Sequence, residues 1–250
     1  MIPSGEKQPV QPLSPELEAM TRAGVQFGHK TSKTHPKMKP YISGMRNMVH
    51  IFDVSKTHAK LREATDALEQ LIAGGKKILL VGTKVQIKDL VQTTARACGL
   101  PFVSERWIGG TLTNFETITK RLDRLHFLTQ HTQSGEFSAH SKKEQLMLQR
   151  ELGDLQKTYG GLETLTALPD AVFICDLDVN AIAAREAKRK NIAIFALCDA
   201  DINPVDVQYA IPANDDARSS VQYILSKVQE AVLKVRTRPA LSQETAPAQA

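Results

Sequence analysis

Between Glu18 and Asp53 this chain of 250 residues has no aspartate or glutamate, although acids are common elsewhere in it. Cysteine is scarce too: Cys98, Cys175 and Cys198 are odd in number and far apart, so no disulfide framework and no C-x-x-C motif is implied. A reducing, cytosolic setting fits best. Cys175 and Cys198 lie inside apolar runs, where a thiol acts as a small buried hydrophobe. No apolar run approaches the roughly 20 residues needed to cross a bilayer, so no membrane partner is expected. The N-terminus "MIPSGEKQPVQPLSPELEAM" lacks the apolar centre of a signal peptide. Residues 1–14 also lack the Arg-rich character of a transit peptide, so the location expected is cytoplasmic, with an organellar origin left open.

Catalytic signatures are missing as well. There is no G-x-x-x-x-G-K-[ST] run, no G-x-G-x-x-G fingerprint and no G-x-S-x-G elbow. His29, His35, His50, His58, His126, His131 and His140 lack metal-ligand spacing and cysteine partners, so no metal is expected. Gly82, Thr83 and Lys84 lie between an expected strand and helix, where backbone N–H groups can hold a phosphate, but an ordinary turn is the simpler reading. Asp176, Asp178, Asp199 and Asp201 fall at the C-terminal ends of two expected strands. α/β sheets bind ligands at that edge, and paired carboxylates there can hold magnesium for phosphoryl transfer. Aspartates in "DLDVNAIAAREAK" and "DADINPVD" serve equally as turn and cap residues, which is the reading preferred here.

What is present is a regular α/β pattern. Apolar runs at 76–83, 170–178 and 191–201 read as buried parallel strands, with shorter strand candidates at 48–54, 100–107 and 207–212. Amphipathic helices are expected at 55–75, 84–99, 179–190 and 215–235, and a short first helix begins at Ser14-Pro15 and stops at Gly24. This alternation predicts a three-layer α/β domain with a parallel sheet covered on both faces. Between residues 111 and 162 the pattern changes. Phe115, Ile118, Leu122 and Leu125 recur at spacings of 3, 4 and 3, and Leu148, Leu152, Leu155, Tyr159 and Leu162 at 4, 3, 4 and 3. Two such seams, joined by the polar link "TQHTQSGEFSAH", predict an antiparallel helical hairpin projecting from the body. The division expected is a disordered tail over 1–14, an α/β body over 15–111 and 163–236 carrying the basic arm, a coiled-coil hairpin over 112–162, and a disordered tail over 237–250.

The net charge of +5 is modest, but the cations cluster. "GHKTSKTHPKMKPYISGMRN" (28–47) holds Lys30, Lys33, Lys37, Lys39 and Arg46 with His29 and His35 and no acid; Arg22 lies just before it. Phe27, Met38, Tyr41, Met45 and Met48 are interleaved, and such residues can dock the arm on the body while the cations stay free for phosphates. A nucleic acid is the partner class this points to.

Five stretches carry a family resemblance: "AGVQFGHKTSKTHPKMKPYISGMRNMVHI" (23–51), "ILLVGTK" (78–84), "ERWIGGTLTNF" (105–115), "LPDAVFICDLD" (168–178) and "AIFALCDADINPVDVQYAIPANDDA" (193–217). Over roughly 15–235 the chain resembles the bacterial-type second protein of the small ribosomal subunit. The resemblance implies a flavodoxin-like body with a coiled-coil hairpin, no catalysis and no cofactor, in a subunit that is not a homo-oligomer. The partners implied are small-subunit ribosomal RNA and neighbouring ribosomal proteins, including the multi-OB-domain protein that captures messenger RNA. The family's basic arm is matched through Phe27, Gly28, His29, Pro36, Lys37, Met38, Lys39, Pro40, Arg46 and Asn47, and its hairpin root through Arg106, Trp107, Gly109, Gly110, Leu112, Thr113 and Asn114. RNA contacts are thus expected from His29, Lys30, Lys33, Lys37, Lys39, Arg46 and Asn47, from Arg106 and Asn114, and from Lys120, Arg121 and Arg124 along the hairpin. The chain departs from the family pattern at Thr34 and His35.

Overall fold

The computed structural model describes residues 14–134 and 141–237. The expected tails and the second half of the polar link, His140 included, lie outside these residues, apart from Ser14 and Thr237. Ser14 caps the first helix, its hydroxyl accepting from Leu17 N at 3.4 Å, and Thr237 closes the last one.

In chain order the elements begin with α1 (Pro15–Ala23), β1 (Phe27–Lys30), β2 (Ile42–Arg46), β3 (Val49–Phe52), α2 (Val54–Ala73), β4 (Ile78–Val81), α3 (Lys88–Cys98) and β5 (Phe102–Val103). They continue with α4 (Phe115–Gln133), α5 (Lys142–Tyr159), β6 (Ala171–Ile174), α6 (Ala181–Arg189), β7 (Ala193–Cys198), β8 (Tyr209–Pro212) and α7 (Arg218–Thr237).

Five strands form an all-parallel sheet in the order β5-β4-β6-β7-β8. Because the second strand of this sheet lies outside the first, the order is that of flavodoxin-like folds. The residues of β4 and β6 are buried throughout, which is why they read as unbroken apolar runs. Alternate side chains feed two cores. Leu80, Phe173 and Phe195 pack with Leu61 and Leu68 of α2, Val91 of α3 and Ile224 and Val228 of α7. Leu79, Val172 and Ile194 pack with Ala183 and Ala187 of α6 and with Trp107, Ile118 and Leu122. The result is the three-layer architecture expected from the sequence.

Two expectations change. The strand expected at 48–54 is β3, and it does not join the parallel sheet. It is the centre of a separate antiparallel sheet, β1-β3-β2, whose outer strands are the two ends of the basic arm, with a short 3-10 turn at Pro36–Tyr41 between them. Its strands have only four or five residues, and one of those residues alone is fully buried, so their sequence carries little apolar alternation to announce them. The second change concerns α4. Ile118 and Leu122 were expected to face only the second hairpin helix, but both belong to the core beneath the parallel sheet. The seam that α4 and α5 share by themselves starts further out, with Leu125, Leu128 and Leu155 packed against Leu148, Leu152 and Tyr159. Arg124 meets Glu151 while Arg121 lies beside Asp154 and Thr158, so the helices run in opposite directions.

The segment after α5 covers the edge strand β5. A Cβ on Gly161 would lie 2.3 Å from the Phe102 carbonyl oxygen, a contact that only glycine allows. An otherwise open sheet edge is thereby closed.

Candidate nucleic-acid interface

The small sheet is seated at the carboxyl ends of the parallel strands. Met38 is fully buried, and Phe52 is 1% exposed, both packed with Ala200, Ile202 and Val207 beyond β7. His35 N donates to Ala200 O at 2.8 Å. A Cβ on Gly28 would lie 3.2 Å from both Asp199 Oδ1 and Phe52 Cε2, so β1 comes as near to the end of β7 as a backbone can. His29 N donates to Asp199 Oδ1 at 3.0 Å, and His29 Nδ1 pairs with Asp199 Oδ2 at 2.7 Å.

The cations of the arm, in β1, in β2 and in the segment between them, lie on the outside. Lys30, Lys33, Lys37, Lys39, Arg46 and Asn47 are exposed. Among the described residues none of those five cations has an ion-pair partner, whereas Lys56, Lys60, Lys76, Lys84, Lys88, Lys188, Lys227 and Lys234 on the body are all paired. Of the interleaved apolar residues, Met38 docks fully and Tyr41 partly, but Phe27, Met45 and Met48 are 42%, 71% and 70% exposed.

His29 differs from its neighbours. Besides Asp199, its Nε2 lies 3.7 Å from Asp216 and 3.9 Å from Asp201, so its ring faces carboxylates of the body. Burial lowers its pKa, but Asp199, Asp201 and Asp216 together hold it above the ordinary value. His29, Asp199 and Asp216 bring ligand-capable atoms within 4.8 Å of one another, a set able to hold a cation. Positions 29, 199 and 216 have no spacing signal, because three separate elements supply them.

The edge where a flavodoxin-like sheet would seat a ligand is closed by the chain's own side chains. Asp176 Oδ2 accepts from Thr83 N at 3.0 Å and from Lys84 N at 2.9 Å, taking the backbone donors that a phosphate would use. Its other oxygen accepts from the Asn180 amide. Burial pushes the Asp176 pKa up, with these donors acting against it. Lys84 Nζ reaches Asp215 at 2.9 Å and Asp216 at 2.8 Å. Burial raises the Asp215 carboxyl to about 6 despite Lys84, while Lys84 itself is held above its usual range by the two acids although burial opposes this. Asp178 is exposed and stands apart. Gly82-Thr83-Lys84 is therefore an ordinary turn, tied down from inside the protein.

A second carboxylate organises the root of the hairpin. Glu186, on α6 and 5% exposed, accepts from Trp107 Nε1 (3.2 Å), Gly110 N (2.8 Å), Leu112 N (3.0 Å), Thr113 N (3.1 Å) and Thr113 Oγ1 (3.1 Å). Burial raises its pKa, but the converging donors more than offset that and leave it below the usual value. Arg106 and Asn114 flank this loop and are exposed. Sequence reading passed over Glu186. The available signal was its place beside Ala183 and Ala187 on the apolar face of α6, where an acid needs partners.

Along α4 the three expected cations differ. Lys120 pairs with Glu116 at 2.8 Å within the helix, and Arg124 is held by Glu151 through two bonds of 2.9 and 2.8 Å. Arg121 is exposed.

Known proteins resemble this chain along most of its length. The family described as Ribosomal protein S2 matches residues 20–235. A protein of Flavobacterium johnsoniae named small ribosomal subunit protein uS2 is 43% identical over 219 residues, 88% of this chain and 86% of its own length. Another of the same name, from Chlorobium luteolum, is 44% identical over 221 residues, 88% of this chain and 87% of its own. A third, from Dehalococcoides mccartyi, is 40% identical over 220 residues, 88% of this chain and 90% of its own. With the family matched from residue 20 to residue 235, on a flavodoxin-like body whose ligand edge is closed, the chain belongs to the ribosomal protein S2 family.

Proposed function

We propose that this protein binds small-subunit ribosomal RNA through the β1-β3-β2 sheet and the hairpin root, as a structural component of the small ribosomal subunit in the cytoplasm. The family is structural, not enzymatic. The observation that carries the RNA reading is the group Lys30, Lys33, Lys37, Lys39 and Arg46, exposed, unpaired among the described residues and free of nearby acids in sequence. A chain that pairs so many of its other lysines keeps these five for an external polyanion. Arg106, Asn114 and Arg121 extend the surface, and the distal α4–α5 pair acts as a coiled-coil arm reaching further RNA. His29 anchors the sheet to the body, with Lys120 and Arg124 contributing through exchange of their present partners. Docking of the multi-OB-domain, messenger-RNA-capturing protein is assigned to the rim of the parallel sheet. There, loops tied together by Thr83 and Asn180 expose Val85 and Val179.

The test is the salt dependence of binding to a small-subunit ribosomal RNA transcript. Five phosphate contacts give a slope of log K against log salt of roughly −3.5 to −4.5, and replacing the five cations by glutamine flattens it. An unchanged slope removes the sheet from the interface.

A further inference from the structure

Resting on the RNA reading above, we propose that the turn between β2 and β3 is an apolar wedge that packs against an unpaired base of the RNA. Arg46 pairs with Val49 across the two strands, leaving a two-residue turn made of Asn47 and Met48. Both have positive φ, 52° and 63°. Two-residue turns of this mirror-image kind match the strand twist and favour Asn followed by Gly, since the second position strains any residue with a Cβ. Asn47 obeys that preference. Met48 does not.

Folding gives no reason for methionine there. At 70% exposure Met48 has little to pack against, glycine would relieve the backbone, and a polar residue would suit water better. Met45, next to Arg46 on β2, repeats the pattern at 71% exposure. Two flexible thioether side chains are thus held in solvent on either side of an exposed arginine that has no ion-pair partner among the described residues, with four further exposed lysines on the same polypeptide segment. The charge fixes the class of partner as a polyanion, and the methionines fix what part of it they meet. Phosphates offer nothing to a thioether. A nucleobase removed from its stack offers an apolar face, and RNA exposes such faces in bulges and loops. Methionine is among the side chains that nucleic-acid binders insert between bases.

Exchanging Met45→Ser together with Met48→Gly tests this without touching any charge. The variant chain weakens about tenfold against the small-subunit ribosomal RNA transcript at every salt concentration, while its salt slope stays that of the unaltered protein, because no phosphate contact is lost. Its melting temperature does not fall, since glycine suits the turn. In peroxide footprinting read by mass spectrometry, Met45 and Met48 oxidise in the free protein and are protected in the complex. Equal affinity of variant and parent, or full oxidation of both methionines in the complex, overturns the wedge and leaves the arm's salt slope standing. Loss of binding to a ribosomal protein with RNA affinity intact also overturns it, assigning the tip to a protein partner. A parent protein with no salt-dependent RNA binding would overturn the RNA reading itself.

Discussion

Glu186 shows how much a single buried acid can organise. Five donors from Trp107, Gly110, Leu112 and Thr113 end on its two oxygens. Glu186→Ala leaves those donors without an acceptor and costs about 3 kcal/mol, seen as a lower urea midpoint. The charge matters as well as the shape. Its folded pKa lies below the unfolded value, so the stability it contributes is present above the ordinary carboxylate range and lost as pH falls through the folded pKa. In Glu186→Gln that acid-side loss is smaller than in the parent. Asp215 has the opposite sign. With its folded pKa near 6, above the unfolded value of 3.8, the folded state holds its proton more tightly, and stability from this group declines as pH rises from about 4 through 6. The difference in stability between Asp215→Asn and the parent therefore shifts in favour of the variant over that interval, then levels off. A difference independent of pH would show that folding leaves the Asp215 pKa unshifted.

At the scale of elements, closure of the sheet and division of the hairpin make separate predictions. Gly161→Ala forces a Cβ against the Phe102 carbonyl, and either the covering segment or β5 must shift. The expected cost is about 1–3 kcal/mol, with faster amide exchange in β5. For the hairpin, the packing of Ile118 and Leu122 into the body decides where it can be cut. Replacing residues 125–155 with a short Gly-Ser linker leaves the parallel sheet folded, because only the outer seam is removed. Replacing 112–162 also takes away Leu112, Ile118, Leu122 and Leu162, each contributing about 1.5–3 kcal/mol of burial. Together they approach the whole stability of a typical domain, so the larger deletion unfolds in circular-dichroism melts where the smaller one does not.

For the whole molecule, the carboxyl edge of the sheet is filled from within. Asp176 holds the turn after β4, Lys84 joins Asp215 and Asp216, and Asp199 receives the backbone of the arm. The fold's usual ligand position has thereby become the seat of the β1-β3-β2 sheet. ATP with magnesium accordingly leaves the melting temperature unchanged and releases no phosphate. Magnesium-dependent release that disappears in Asp199→Asn would contradict this.

Elements whose residues repeat a local rule can be read before any fold is known. Strands β4, β6 and β7 are legible because burial on both faces demands unbroken apolar runs, and α2 and α7 because one buried face imposes helical spacing. The cation-only arm was legible because charge composition needs no partner to be seen. The tertiary structure alone decided what depends on residues far apart in the chain. The β1-β3-β2 sheet has strands too short to carry a period. The bond from His29 to Asp199 spans 170 positions, and the exposure of Met45 and Met48 follows from where the arm is seated. Ile118 and Leu122 fit a two-helix seam and a sheet-facing core equally well, since both ask only for an apolar side chain every three or four residues. Which surface covers them is set by how the chain packs, and spacing along one helix does not encode it.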